Sequence, residues 1–193
     1  PSRAYIDLFS GPGMCMFRED RKLTEGSPLL ALKADYPFTD YYFSDLDPVA
    51  IMALRKRCEP FQSKAGIKIN IFQKDCNVVA SEIAARIKAD ALCLAFIDPT
   101  GLDFKFSTLK ALTANKQMDM ILHFPHVTTI KRNIEKWYGK DQSKMDDFFD
   151  GSDWRSIYEG NRGNLTNLTH GLLELYKAKL ARIGYTMEPS DAV

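Results

Sequence analysis

Five short apolar runs alternate with helix-like stretches through residues 1–125, and this alternation most constrains the fold. The runs are predicted strands at Ala4 to Phe9, Tyr41 to Ser44, Ile67 to Phe72, Ala91 to Ile97 and Met118 to Phe124. Strands joined through helices pair in parallel, and their helices cover the sheet. The pattern therefore predicts an α/β fold with a mostly parallel sheet and helices on both faces.

Turn and capping residues predict where the helices lie. Helices are predicted at Ser27 to Lys33, Val49 to Cys58, Ser81 to Lys88, Thr108 to Leu112, Thr128 to Tyr138 and Thr166 to Ile183. Ser27 is the expected N-cap of the first, with Pro28 at its first helical position, and Asp47 is the expected N-cap of the second.

The charge and cysteine content exclude several classes of protein. The formal net charge is +1, whereas a non-specific nucleic-acid binder is usually strongly basic. A basic edge from Lys131 to Lys140 still allows a local contact with nucleic acid. No apolar run reaches membrane-spanning length, so no membrane contact is expected. Four scattered cysteines, Cys15, Cys58, Cys76 and Cys93, indicate reduced thiols and a cytoplasmic protein.

A glycine turn follows the first strand, in the order Asp7, Phe9, Gly11, Gly13. Glycines at such a turn let the backbone approach a ligand. A dinucleotide fingerprint has a third glycine three residues later, where this chain has Met16. The pattern therefore favours S-adenosylmethionine (SAM), although an ordinary strand-to-turn connection remains the alternative.

Acidic residues follow the next two strands. Asp45 is the predicted acceptor for the ribose hydroxyls, with Leu46 against the adenine. Asp75 and Cys76 follow the third strand, where a loop reaches the adenine, although a simple turn aspartate explains Asp75 equally well. Ligands of open α/β sheets bind at the carboxyl ends of the strands, so these positions predict one cofactor site.

The fourth strand ends in Asp98, Pro99 and Thr100, which are the predicted catalytic residues. Asp98 would accept a hydrogen bond or a proton from an amine being methylated. A strand-ending turn is the structural alternative. Cytosine C5 methylation is excluded because no cysteine follows a proline.

The three histidines, His123, His126 and His170, have no metal-ligand spacing, so no metal site is predicted. His123 is expected to be a core histidine within an apolar strand. His126, after the fifth strand, is a candidate for substrate contact.

Five segments together resemble the three-Cys-motif partner (TcmP) family over residues 4–130. They are Tyr5 to Gly13, Gly26 to Leu32, Tyr42 to Pro48, Ala95 to Leu102 and Ile121 to Pro125. The resemblance implies a Rossmann-like class I methyltransferase fold in a bacterial or archaeal protein. It also implies a partner protein with a three-cysteine motif of radical-SAM-like type. The family's loop usually has phenylalanine where this chain has Thr100, which removes an aromatic that could stack on a base.

One domain is predicted over 1–193, with a cofactor-binding core at 1–125, an inserted helical segment at 126–165, and a final helix at 166–193 that leads into an edge strand at Tyr185 to Met187. The remaining edge strands are expected to be missing or truncated. The stretch from Met14 to Glu25, with Arg18 and Arg21, is either a lid or a disordered loop.

The functional expectation is SAM-dependent methyl transfer to a nitrogen of a nucleic-acid base. The alternative is a non-catalytic SAM-binding or protein-interaction module that works with the three-cysteine-motif partner.

Overall fold

The computed structural model describes residues 2–16, 19–114, 116–125 and 127–186. In chain order its first elements are β1 (Arg3–Asp7), β2 (Met14–Met16), β3 (Leu23–Glu25), α1 (Ser27–Leu32), β4 (Asp40–Asp45), α2 (Pro48–Gln62), β5 (Lys68–Gln73) and α3 (Cys76–Arg86). They are followed by β6 (Leu92–Ile97), α4 (Phe106–Thr113), β7 (Asp119–Leu122), α5 (Val127–Tyr138), α6 (Lys144–Phe149), α7 (Trp154–Gly160) and α8 (Leu165–Arg182).

Five strands form one parallel sheet in the order β5-β4-β1-β6-β7. Two adjacent tyrosines on β4 show that helices flank both faces. The Tyr41 hydroxyl donates to the Ala31 carbonyl of α1 at 3.2 Å, and the Tyr42 hydroxyl donates to the Arg86 carbonyl of α3 at 3.4 Å. Because neighbouring strand residues point to opposite faces, α1 and α3 lie on opposite sides. The predicted α/β fold with a parallel sheet is confirmed.

The chain forms two compact units, of which the first comprises 1–99 and 111–123. Its core centres on the aromatic side chains of Tyr5, Tyr41 and Phe43, with ring centroids 5.8 to 6.3 Å apart. Leu32 and Leu54 pack with them. Burial of these large side chains against α1 and α2 anchors the central strands β1 and β4.

The second unit comprises 100–110 and 124–193. Its core is also aromatic: Phe148 stacks on Tyr176 with centroids 4.7 Å apart, and Phe106 meets Tyr176 edge-on at 5.6 Å. Helices α5 and α8 agree closely with the predicted ones, whereas α6 and α7 lie within the predicted helical segment at 126–165 but had been given no bounds of their own. No helix in the described part of the chain is long and apolar enough to cross a bilayer.

Several local predictions are wrong. Gly26, not Ser27, is the N-cap of α1, because the Ser27 hydroxyl donates to Asp7 instead. Helix α3 begins at Cys76 rather than Ser81, since Asp75 caps it. Tyr185 lies outside any strand, and Met187 lies outside the described residues.

The described residues between Met14 and Glu25 include two short strands. Strands β2 and β3 pair antiparallel as a hairpin, with Cys15 opposite Thr24. Arg21 lies between them with a φ of +55°, whereas Arg18 lies outside the described residues.

Candidate functional site

The parallel strands end at one edge of the sheet, named here the carboxyl edge. Asp7 and Asp45 are the last residues of β1 and β4, and Asp98 and His123 directly follow β6 and β7. Asp75 lies two residues beyond β5. From β1 the chain continues to β4 and β5 on one side of β1, whereas β6 and β7 lie on its other side. The order of the strands therefore reverses at β1. Open α/β sheets bind ligands at such a reversal.

The two glycines of the turn after β1 serve different purposes. Gly11 has a φ of +56° and Gly13 a φ of +78°, a region that side chains rarely adopt. A Cβ at Gly13 would lie 2.9 Å from Leu54 Cδ1, whereas a Cβ at Gly11 meets no described atom within 4 Å. Gly13 therefore permits close packing on α2, and Gly11 leaves open space beside the backbone.

Asp45 joins the glycine turn to the end of β4. Its Oδ2 accepts the Gly11 N–H at 2.8 Å, and its Oδ1 accepts the Asp47 N–H at 2.9 Å. Each carboxylate oxygen has two lone pairs, so each retains one after these bonds. The half-buried Asp45 thus holds the turn and keeps acceptor capacity for ligand hydroxyls.

Asp7 lies beneath the turn and is fully buried. Its Oδ1 accepts the Phe9 N–H at 3.1 Å, and its Oδ2 accepts the Ser27 hydroxyl at 2.6 Å. Burial raises the pKa of Asp7 to about 7, aided by the nearby Asp98 and Asp45 and opposed by the two hydrogen bonds. Through these two hydrogen bonds Asp7 connects the start of the turn to the start of α1, and its side chain does not face solvent.

The three residues predicted at the adenine differ in exposure. The Leu46 side chain is exposed. Asp75 accepts the Asn77 N–H at 2.7 Å and so caps α3, as a turn aspartate would. The Cys76 side chain is buried in the core. Of the three, Leu46 offers a free apolar surface next to Asp45.

The predicted catalytic residues form a turn after β6. Asp98 is exposed, Pro99 is buried, and Thr100, which belongs to the second unit, is exposed. Phe9, predicted to bind the cofactor, is half-buried at the glycine turn. Of the three residues of this turn, Asp98 alone has a carboxylate, and its side chain is exposed at the carboxyl edge.

His123 is not a core residue, which corrects the prediction. Its side chain is 56% exposed, and its Nδ1 lies 2.5 Å from Asp98 Oδ1. Strand register explains the contact: Ile97 pairs with Leu122, and the His123 N–H donates to the Ile97 carbonyl at 2.9 Å. The sequence analysis missed the pairing because it placed His123 inside the predicted strand Met118 to Phe124, whereas β7 ends at Leu122, and because it did not show that β6 and β7 are neighbours.

No protein-family model, curated protein or solved structure matches the chain. Of the other histidines, His126 lies outside the described residues, and His170 is exposed on α8 in the second unit.

Alanine at the two glycines should separate their roles. Gly13→Ala combines a left-handed backbone with an overlap on buried Leu54, so we expect a loss of about 2–3 kcal/mol in the free energy of unfolding. Gly11→Ala carries the backbone strain alone, about 1 kcal/mol. Urea unfolding monitored by circular dichroism measures both, and equal losses would contradict the packing role of Gly13.

Proposed function

We propose that this chain binds SAM at the carboxyl edge and transfers its methyl group to a nitrogen of a nucleic-acid base. One observation carries the proposal: the Gly11 N–H donates to Asp45 Oδ2 at 2.8 Å, so the glycine turn and the acidic strand end form one cradle. A nucleotide-type ligand needs both parts together. Their junction beside the chain reversal between β4, β1 and β6 supports a cofactor site rather than an ordinary turn.

The residues of the cradle fit an adenosyl group. Asp45 has spare lone pairs for ribose hydroxyls, and the exposed Leu46 side chain offers an apolar surface for the adenine. The open space at Gly11 leaves room for the ligand close to the backbone. When bound, SAM supplies an electrophilic methyl group on a positively charged sulfur.

The acceptor side of the proposed site lies after β6. Asp98 occupies the strand end next to Asp7, because β6 pairs directly with β1 and Asp7 is opposite Phe96. The second unit by itself carries exposed cations on and after α5 that suit phosphate contacts, and these support a nucleic-acid substrate: Lys131, Arg132, Lys136 and Lys140. Methyl transfer there would rest mainly on positioning the two substrates.

Calorimetric titration with SAM and with S-adenosylhomocysteine tests the cofactor site. We expect both to bind, and we expect Asp45→Ala to weaken binding about 10- to 100-fold because it removes hydrogen bonds to a charged group. Asp40→Ala is the matched control, since Asp40 lies at the opposite end of the same strand, where it accepts from Ser2 and Thr39.

The outcomes separate the functional alternatives. If neither ligand gives heat or a thermal shift with the wild-type protein, the proposed cofactor is wrong. Equal weakening by Asp45→Ala and Asp40→Ala would place the ligand elsewhere. Tight binding without methyl transfer would favour the non-catalytic module that acts through a three-cysteine-motif partner.

A further inference from the structure

Asp98 and His123 form a hydrogen-bonded pair at the carboxyl edge. The two side chains are 48% and 56% exposed, and 2.5 Å separates His123 Nδ1 from Asp98 Oδ1. Adjacent parallel strands hold both residues, so the pairing is built into the sheet. Both residues directly follow their strands, so the paired strands fix where the two side chains begin.

The carboxylate selects the tautomer of the imidazole. An ionised carboxylate only accepts hydrogen bonds, so Nδ1 of His123 must carry the shared hydrogen. In the neutral ring Nε2 then has a free lone pair. More than half of the His123 side chain is exposed, so the ring is open to a substrate.

The position of the pair suits the acceptor of the proposed reaction. Strand β6 is next to β1, and β7 is one strand further. With about 4.8 Å between neighbouring strands, His123 lies about 10 Å along the edge from Asp7. That separation leaves room between the glycine turn and the imidazole for a reacting methyl group and its acceptor.

We propose that His123 is the general base of this site, that Asp98 is its positioning residue, and that the acceptor is a lactam N–H, as in guanine or uracil. This rests on the proposed function. A lactam nitrogen has its lone pair delocalised into the carbonyl and attacks well only as its proton leaves, so it requires a base. An exocyclic amine does not need its proton removed before attack, so a dedicated base points away from it.

The proposed step couples methyl transfer to loss of the acceptor's proton. The acceptor nitrogen forms a bond to the methyl carbon, while the carbon–sulfur bond breaks and its electron pair goes to sulfur. The proton of the acceptor nitrogen passes to His123 Nε2. The resulting imidazolium is stabilised by the Asp98 carboxylate and then releases its proton to solvent.

A first test reads the tautomer in the protein without any cofactor. Long-range ¹H–¹⁵N spectra distinguish Nδ1–H from Nε2–H imidazoles, and His123→Gln identifies the signal among the three histidines. We expect neutral His123 to carry its hydrogen on Nδ1 in the wild type and to lose that preference in Asp98→Asn. An Nε2–H tautomer in the wild type would overturn the proposal.

A second test measures methyl transfer from labelled SAM to random-sequence RNA and DNA pools, with the product nucleosides identified by mass spectrometry. We expect methylation of ring nitrogens of guanine or uracil. His123→Gln should lower the turnover number about 100-fold or more with SAM binding unchanged. Asp98→Asn should lower the turnover number at least about 10-fold, and Asp98→Glu should restore part of it. The exposed His170→Gln is the control and should retain full activity.

The outcomes distinguish this inference from the proposed function. Methylated exocyclic amines, or full activity of His123→Gln, would overturn the base assignment while leaving SAM-dependent transfer intact. Bound SAM with no transfer to either pool would refute the proposed methyl transfer itself and favour the non-catalytic module, and the base assignment would fall with it. A wild-type protein that binds no SAM would instead refute the proposed function, and with it this inference.

Discussion

Asp7→Asn is expected to raise the free energy of unfolding at pH 8 by up to about 4 kcal/mol. The Asp7 carboxyl is fully buried, and burial raises its pKa from 3.8 to about 7. Ionised Asp7 therefore destabilises the folded state relative to a neutral side chain of the same shape. Asparagine keeps an oxygen that can accept from Phe9 or Ser27 without carrying a charge.

The pH dependence of this effect follows from proton binding. Between about pH 4 and pH 7 folded Asp7 holds a proton that the unfolded chain has released, so stability falls as pH rises through this window. Above about pH 7 both states are ionised and the full loss is present. Below about pH 4 both states are protonated and the loss disappears. The advantage of Asp7→Asn should therefore be small at pH 4 and largest above pH 7.

Urea unfolding of both proteins from pH 4 to pH 8 measures this difference. Asp35→Asn is the matched control, because Asp35 is exposed and the same chemical change there should leave the difference small at every pH. A difference between wild type and Asp7→Asn that does not grow with pH would show that Asp7 is not a buried carboxyl of raised pKa.

Much of the sheet could be predicted because its strands are apolar and are punctuated by turn residues. The predicted strand at Tyr41 to Ser44 lies within the observed Asp40–Asp45. Strands β2 and β3 escaped prediction because each has three residues and neither shows a buried alternation. Helix α3 was predicted to begin too late, at Ser81 instead of Cys76. From the sequence, Asp75 could be either a cofactor-binding residue or a turn residue, so it was not recognised as the N-cap.

The candidate site was predictable in position but not in pairing. Asp45 and Asp98 were recognisable because each follows a strand. The contacts that define their chemistry, Asp45 with Gly11 and Asp98 with His123, join residues 34 and 25 positions apart. Such contacts depend on strand order, which the spacing of apolar runs does not specify. The apolar neighbours of His123 therefore suggested burial, although the residue lies beyond the end of β7.

The acidic stretch from Asp146 to Asp153 illustrates the same limit in the second unit. From the sequence it is a cluster of like charges. In the structure each aspartate forms an ion pair with a cation from elsewhere in the sequence: Asp146 with Arg155, Asp147 with Lys105, Asp150 with Lys110 and Asp153 with Lys179. These four pairs differ greatly in exposure, so their contributions to stability should differ as well.

Asp146→Ala is expected to lower the free energy of unfolding by about 3–5 kcal/mol. The Asp146 side chain is 13% exposed and that of Arg155 is 21% exposed. Its Oδ1 accepts the Trp154 indole N–H at 2.9 Å, and its Oδ2 accepts the Ser143 N–H at 2.7 Å and Arg155 Nη2 at 2.9 Å. Removing the carboxylate leaves a largely buried guanidinium and an indole N–H without this partner.

The neighbouring Asp147→Ala is the control for Asp146→Ala. The Asp147 side chain is 33% exposed and pairs with a Lys105 side chain that is 47% exposed, so its loss should amount to about 1 kcal/mol or less.

Burial opposes ionisation of Asp146, but hydrogen bonds from Ser143 and Trp154 and the charge of Arg155 outweigh it and lower its pKa. The difference between wild type and Asp146→Ala should therefore be full above about pH 4 and shrink as the pH falls further. Urea unfolding at pH 7 and pH 3 measures this, and similar losses for Asp146→Ala and Asp147→Ala at pH 7 would refute the central role of Asp146.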